Sequence, residues 1–123
     1  MNPADIHGKK LIAVAGKDVF GKQFISVVNK EIAKDNLMAI GININEEDFN
    51  FFISNLPQSK VEITIFMPEY QQVAAQHFGL QGVLLATVKK ENGLEALTAD
   101  EPTPIDDVKL LQIIQTLKDE YGI

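Results

Sequence analysis

Cysteine is absent from this chain of 123 residues, so neither disulfides nor thiol chemistry enters it, and a reducing compartment is permitted. Positive charge is scarce. Eleven lysines and arginines face 17 aspartates and glutamates, which leaves a net charge of −6. Nucleic acid phosphates favour basic surfaces, so nucleic acid is not expected as a partner. His7 and His77 are far apart and belong to no His/Asp/Glu cluster at ligand spacing, so no metal site is expected. Long apolar runs are missing as well. After the polar opening Met1–Lys10, Leu11–Ala15 is too short for a signal-peptide core or a membrane span, which points to a cytoplasmic protein without membrane contact. There are no repeats, low-complexity tracts or interdomain linkers. With 46% hydrophobic and 23% charged residues, 1–123 reads as a single domain able to bury a core.

Strand and helix signals alternate along the chain. Leu11–Ala15 is uniformly apolar and reads as a strand buried on both faces. Phe20, Phe24, Val27, Val28 and Ile32 then recur at helical spacing. Leu37–Ile44 is a second strand. Asn45 reads as an N-cap before Glu46, Glu47 and Asp48, and Phe49, Phe52, Ile53 and Leu56 form the stripe of a helix that Pro57 stops. Lys60–Met67 alternates, with Val61, Ile63, Ile65 and Met67 against Glu62, Thr64 and Phe66, and is a third strand. Pro68 suits a first helical position, with Tyr70, Val73, Ala74 and His77 on one side.

Gly82–Val88, the turn Lys89–Gly93 and the return Leu94–Leu97 make a hairpin, with Asn92-Gly93 supplying the positive φ a tight turn needs. Thr103 as N-cap, Pro104 at the first position and Asp106 three after the cap then open a last helix through Val108, Leu111, Ile114, Leu117 and Tyr121. The order βαβαβα, hairpin, helix predicts an α/β fold: a three-layer α-β-α sandwich on a mainly parallel sheet.

Chemistry-bearing patterns are few. GKDVFGK at 16–22 matches GxxxxGK between a strand and a helix, the context of a phosphate loop, but Gln23 stands where Ser or Thr would hold Mg²⁺. Nucleotide binding there is one reading; a tight strand-to-helix connection is the plainer one. Lys17 and Lys22 near a helix N-terminus are candidate anion-binding groups. Neither Ser26 nor Ser54 has a histidine partner or an elbow motif, so no nucleophile is expected. Asp106 and Asp107 read as capping residues. Asp100 is a lone carboxylate at the C-terminal edge of the sheet, where α/β proteins place their sites.

Taken together, the chain resembles the N-terminal, substrate-binding domain of shikimate dehydrogenases over roughly Leu11 to Asp100. Residues 15–24, AGKDVFGKQF, occupy the place of that family's G-N-P…H-S-x-S-P loop, and Asn29 matches a helix asparagine. Val61–Ile65 is similar to the strand G-x-N-V-T-I-P-H-K. Gly82–Asp100 aligns without gaps to G-A-V-N-T…D-G-x-L-x-G-x-N-T-D. The departures fall on functional positions. The two carboxylate-binding serines align with Lys22 and Phe24, the strand asparagine with Glu62, the catalytic lysine with Pro68, and the later asparagines with Leu85 and Thr98. Asp100 and Thr64 are retained.

Hydride transfer to or from a ring hydroxyl needs a group to pass the proton, and proline has none to give. It also needs a nicotinamide held by a second, Rossmann domain, and the chain ends about where that domain would begin. The resemblance therefore implies a stand-alone, non-catalytic relative without a cofactor. Its expected pocket is lined by Lys22, Thr64, Leu85 and Asp100 and takes a small carboxylate. The rival reading is a protein-interaction or homodimerisation module using the same cleft, which would show an apolar patch around Phe24 and Leu85.

Overall fold

The structure is a computed structural model that describes residues 9–123. The opening segment as far as residue 8, His7 included, lies outside the described residues. In chain order come β1 (Lys10–Gly16), α1 (Gln23–Ile32), β2 (Leu37–Asn43), α2 (Phe49–Ser54), β3 (Val61–Phe66), α3 (Pro68–His77), β4 (Val83–Lys90), β5 (Gly93–Ala99) and α4 (Asp107–Tyr121). Short 3-10 turns at Ala33–Asp35, Glu46–Asp48 and Leu56–Gln58 join some of them.

The sheet has the order β2-β1-β3-β4-β5. β1 is parallel to β2 and β3, whereas β4 is antiparallel to both β3 and β5. The expected mainly parallel sheet is thus mixed: four strands share a direction, but half of the pairings are antiparallel. The two-residue hairpin turn between β4 and β5 leaves no room for the crossover that a parallel pair requires.

The expected three layers are present. On one face Ile12, Val14, Ile63, Ile65, Ala86 and Val88 pack under Ile25, Val28 and Ile32 of α1 and under Leu110, Ile113, Ile114 and Leu117 of α4. On the other, Ala15, Phe66 and Leu84 meet Phe49, Ile53 and Leu56, together with Tyr70, Ala74 and Ala75 of α3. Two register shifts decide which residue faces where. Leu11 and Ile12 pair with Val61 and Ile63, so Glu62 is an extra residue in β3, and Val61 turns to the face opposite Ile63. Thr98 and Leu97 pair with Leu84 and Ala86, so Leu85 is the extra residue of a bulge in β4. The strict alternation read over Val61–Met67 breaks at the first of these.

Several local expectations are corrected. α1 begins at Gln23, so Phe20 sits in the preceding loop, 71% exposed, and the buried stripe is Ile25, Val28 and Ile32, with Val27 turned outward. Asn45 precedes a 3-10 turn and makes no side-chain capping bond. In α3 the buried face is Tyr70, Gln71, Ala74 and Ala75, while Val73 and His77 are exposed. Lys89 and Lys90 extend β4, leaving Glu91 and Asn92 as the turn, while the positive φ expected of the Asn92-Gly93 pair is found at Gly93, 142°. The N-cap of α4 is Asp106, whose Oδ1 accepts the Lys109 N–H at 2.8 Å. Thr103 cannot cap this helix because its backbone is held elsewhere, as described below. No helix among the described residues is long and apolar enough to cross a membrane.

Candidate functional site

β1, β2, β3 and β5 all end, and β4 begins, at one edge of the sheet, so the loops that follow form a single rim. Sites in open α/β sheets sit at such an edge. What the rim can do depends on which of its backbone groups are open.

Few are. The loop after β1 folds down onto the ends of the strands. A Cβ on Gly16 would overlap the side chains of Val19, Met67 and Glu69, so glycine is required for this close approach. The Lys17 N–H donates to Glu69 Oε2 at 2.9 Å. Val19 and Phe20 N–H both donate to Asn43 Oδ1, at 2.6 and 2.8 Å, and the Lys22 N–H donates to the Val19 carbonyl at 3.1 Å. A phosphate loop works by offering such N–H groups to a ligand. Here the chain's own carboxylate, amide and carbonyl already take those of Lys17, Val19, Phe20 and Lys22.

The fastening comes largely from the first turn of α3. Pro68 is its first residue, as expected. The next three side chains then reach three different loops. Glu69 holds Lys17 after β1, and the Tyr70 hydroxyl donates to the Ile44 carbonyl after β2. Gln71 Oε1 accepts the Thr103 N–H at 2.7 Å, and its Nε2 donates to the carbonyls of Thr103 and Phe66, both at 2.9 Å. Tyr70 and Gln71 are fully buried, and Tyr70 stacks on Phe49 with ring centroids 4.3 Å apart. Every buried side-chain polar atom among the described residues has a partner.

Burial pushes the Tyr70 pKa up, and the carboxylates of Glu46, Glu69, Asp48 and Glu47 add to the shift. Those carboxylates are part of a wider pattern. Asp18, Glu46, Glu47, Asp48, Glu69, Asp100, Glu101, Asp106 and Asp107 lie on the rim against Lys17, Lys22 and Lys109. Nine negative and three positive groups make −6, the full net charge of the chain.

The residues named from the sequence do not converge. Lys22 Nζ pairs with Asp18 at 3.3 Å and Lys17 Nζ with Glu46 at 3.5 Å, so each lysine has its own carboxylate. Thr64 is buried in mid-strand between Ala13 and Thr87, and Leu85 is buried at the bulge. Asp100 is exposed beyond β5. β3 and β4 stand between β1 and β5, so the ends of β1 and β5 are about 14 Å apart at the usual strand spacing, with Lys22 at the start of α1 after the first and Asp100 directly after the second. Phe24 is half-buried, so the apolar patch expected around it and Leu85 is not formed. Clefts of about 480 Å³ between α1 and α4 and about 360 Å³ beside α2 contain none of Lys17, Lys22, Thr64, Leu85 or Asp100.

Among the described residues no group of three or more His, Asp or Glu side chains is placed to hold a metal. His77 lies edge-on to Phe78, ring centroids 5.0 Å apart. Asn43, Glu69 and Gln71, which shape the rim most, were not read as site residues. A polar Asn43 closing an apolar strand was a usable signal; Gln71 offered none.

The chain is thus of the α/β class, a mixed sheet between two helical layers with the loop after β1 fastened by α3 and β2. Among solved structures it is similar to shikimate dehydrogenase 1 from Peptoclostridium difficile, with a TM-score of 0.57 over 71% of this chain at 11% identity. The chain spans 36% of that protein's length. The likeness is one of fold. No family model matches the sequence, and no curated protein matches it.

Proposed function

We propose that this chain is a non-catalytic relative of the shikimate dehydrogenase substrate-binding domain that works by association with protein rather than by binding a small carboxylate. The observation that carries the reading is the closed rim: Glu69, Tyr70 and Gln71 fasten three loops, and the edge holds the chain's whole net charge of −6. A carboxylate arriving at the loop after β1 finds the Lys17, Val19 and Phe20 N–H groups taken and Lys17 and Lys22 each beside a carboxylate, and it is repelled by the field of the rim. Pro68 also leaves the position aligned with the family's lysine without a proton to transfer.

Thermal-shift titration with shikimate, quinate and simple carboxylates tests the reading. We expect no stabilisation at millimolar ligand, where even a millimolar Kd would raise the midpoint measurably. A rise that disappears in Lys22→Ala restores the carboxylate pocket. Shikimate-dependent oxidation or reduction of a nicotinamide cofactor overturns the non-catalytic assignment.

A further inference from the structure

Glu91, Asn92 and Gly93, the tip of the β4–β5 hairpin, are all exposed, and a Cβ placed on Gly93 would meet no atom within 4 Å. Strand pairing starts at the rung Lys90↔Gly93 and runs on to Val83↔Ala99. That first rung is the end of the ladder and covers no core residue. Such a terminal rung opens locally while the rest of the sheet stays paired.

Asparagine is a thermolabile residue, because the main-chain nitrogen of the next residue can attack its side-chain amide. The attack needs an amide that is not held, a nitrogen that no side chain crowds, and a backbone free to turn. Seven asparagines lie among the described residues, and Asn92 alone of them meets all three needs. Asn29, Asn43 and Asn55 have their side chains fastened to backbone groups at 2.6 to 2.9 Å. Asn36, Asn45 and Asn50 precede Leu37, Glu46 and Phe51, whose side chains shield the attacking nitrogen. Asn92 precedes glycine, which has no side chain and turns freely.

We infer that Asn92 is a site of spontaneous covalent modification, where the Gly93 nitrogen displaces the side-chain amide. The Gly93 nitrogen bonds to Asn92 Cγ, the Cγ–Nδ2 bond breaks, and the proton lost by the Gly93 nitrogen departs with the amide as ammonia. Nothing is oxidised or reduced. Water then opens the cyclic imide at one of its two carbonyls. Opening at the side-chain carbonyl leaves aspartate, and opening at the main-chain carbonyl leaves isoaspartate, with the chain routed through Cβ. Either product adds one negative charge to the chain's −6. The isoaspartyl form also lengthens the main chain inside a two-residue turn. Turn length sets the register of a hairpin, and β5 has β4 as its one strand partner, so this form should hold β5 less firmly.

The experiment is incubation of the full chain in warm, mildly alkaline buffer, followed by tryptic digestion and mass spectrometry. Cleavage after Lys90 and Lys109 releases peptide 91–109, in which Asn92 is the one amide side chain, while peptide 35–60 carries five other asparagines. We expect 91–109 to gain the mass of an amide nitrogen exchanged for oxygen and to split into two chromatographic forms, with 35–60 unchanged. Conversion should quicken as pH rises, because the Gly93 nitrogen attacks after losing its proton. Asn92→Gln should keep its mass, since the ring it would have to close is larger. Asn92→Asp should share the acidic band of the aged chain on isoelectric focusing, yet melt at the parent's midpoint, whereas the aged chain melts below it. A folded chain whose 91–109 peptide keeps its amide overturns the inference. Equal conversion in 35–60 overturns the selectivity assigned to the turn, and an aged chain that melts with Asn92→Asp overturns the loosening of β5.

Discussion

The two helical layers cover one sheet by different means. α1 and α4, ten and fifteen residues long, close one face with an aliphatic core. α2 and α3, six and ten residues long, cover the other with aromatic rings and with polar side chains that leave the layer to hold distant loops. The first layer owes its cohesion to area removed from water, which is non-directional and tolerant of detail. The second depends on particular hydrogen bonds. It therefore fixes the shape of the rim and still leaves apolar surface uncovered beside α2. The division of labour can be broken from either side.

The largest effect is expected in the aliphatic layer. Leu117 of α4 is fully buried, and Leu117→Ala should cost about 3 kcal/mol through lost transfer energy and the cavity left behind. Urea unfolding checks it. The variant's rim should keep its form, because no rim hydrogen bond runs through α4's core face; the amides of Lys17, Val19 and Phe20 should remain as slow to exchange, relative to global stability, as in the parent.

Gln71→Leu comes next. It removes a side chain of similar size but strands the Thr103 N–H and the Thr103 and Phe66 carbonyls, at a cost of about 2 kcal/mol. Unlike Leu117→Ala, it should release the segment before α4, seen as early exchange of the Thr103 amide. If Thr103 stays protected, the clamp is not what holds that loop, and the contrast between the layers is lost.

The order of elements and the buried Phe49, Ile53, Leu56, Tyr70 and Ala74 of the second layer were legible in the sequence. The faces of α1 and α4 were so only in part, since Val27 and Val108 turn outward, and the polar fastening was not. Apolar runs such as Leu11–Ala15, with glycine and proline between them, announce strands, and the order of elements follows. The bulges at Glu62 and Leu85 have no sequence signal, since each depends on what the neighbouring strand does. The fastening of the rim joins residues far apart in the chain: Glu69 reaches back 52 positions to Lys17, and Gln71 forward 32 to Thr103. Local pattern cannot see such pairs. Thr103, Pro104 and Asp106 looked like a helix start because capping chemistry is local, yet Gln71 had already taken Thr103's backbone. The candidate pocket failed to assemble for a related reason. Lys22, Thr64, Leu85 and Asp100 were brought together by correspondence with a motif, whereas burial and strand order keep them apart.

Tyr70→Phe gives the smallest and most specific effect. It keeps the stacking on Phe49 and deletes the hydroxyl that holds the Ile44 carbonyl, so near neutral pH the loss should be about 1 kcal/mol. The sharper reading comes from alkaline pH. Burial first, and then Glu46 and Glu69, raise the folded-state pKa of Tyr70 above the ordinary value near 10. Between those two values the unfolded chain loses the proton while the folded chain keeps it. Stability from this group is complete below the unfolded pKa and is lost as pH rises toward the folded one. Tyr121 is raised as well, by burial and then by Glu120 and Glu95, so the parent should lose stability through both tyrosines. Tyr70→Phe should retain the Tyr121 share alone, with a slope shallower by up to about 1.4 kcal/mol per pH unit. Identical slopes in parent and variant would mean that the Tyr70 hydroxyl ionises as readily folded as unfolded, and that the polar layer is not as closed as its hydrogen bonds require.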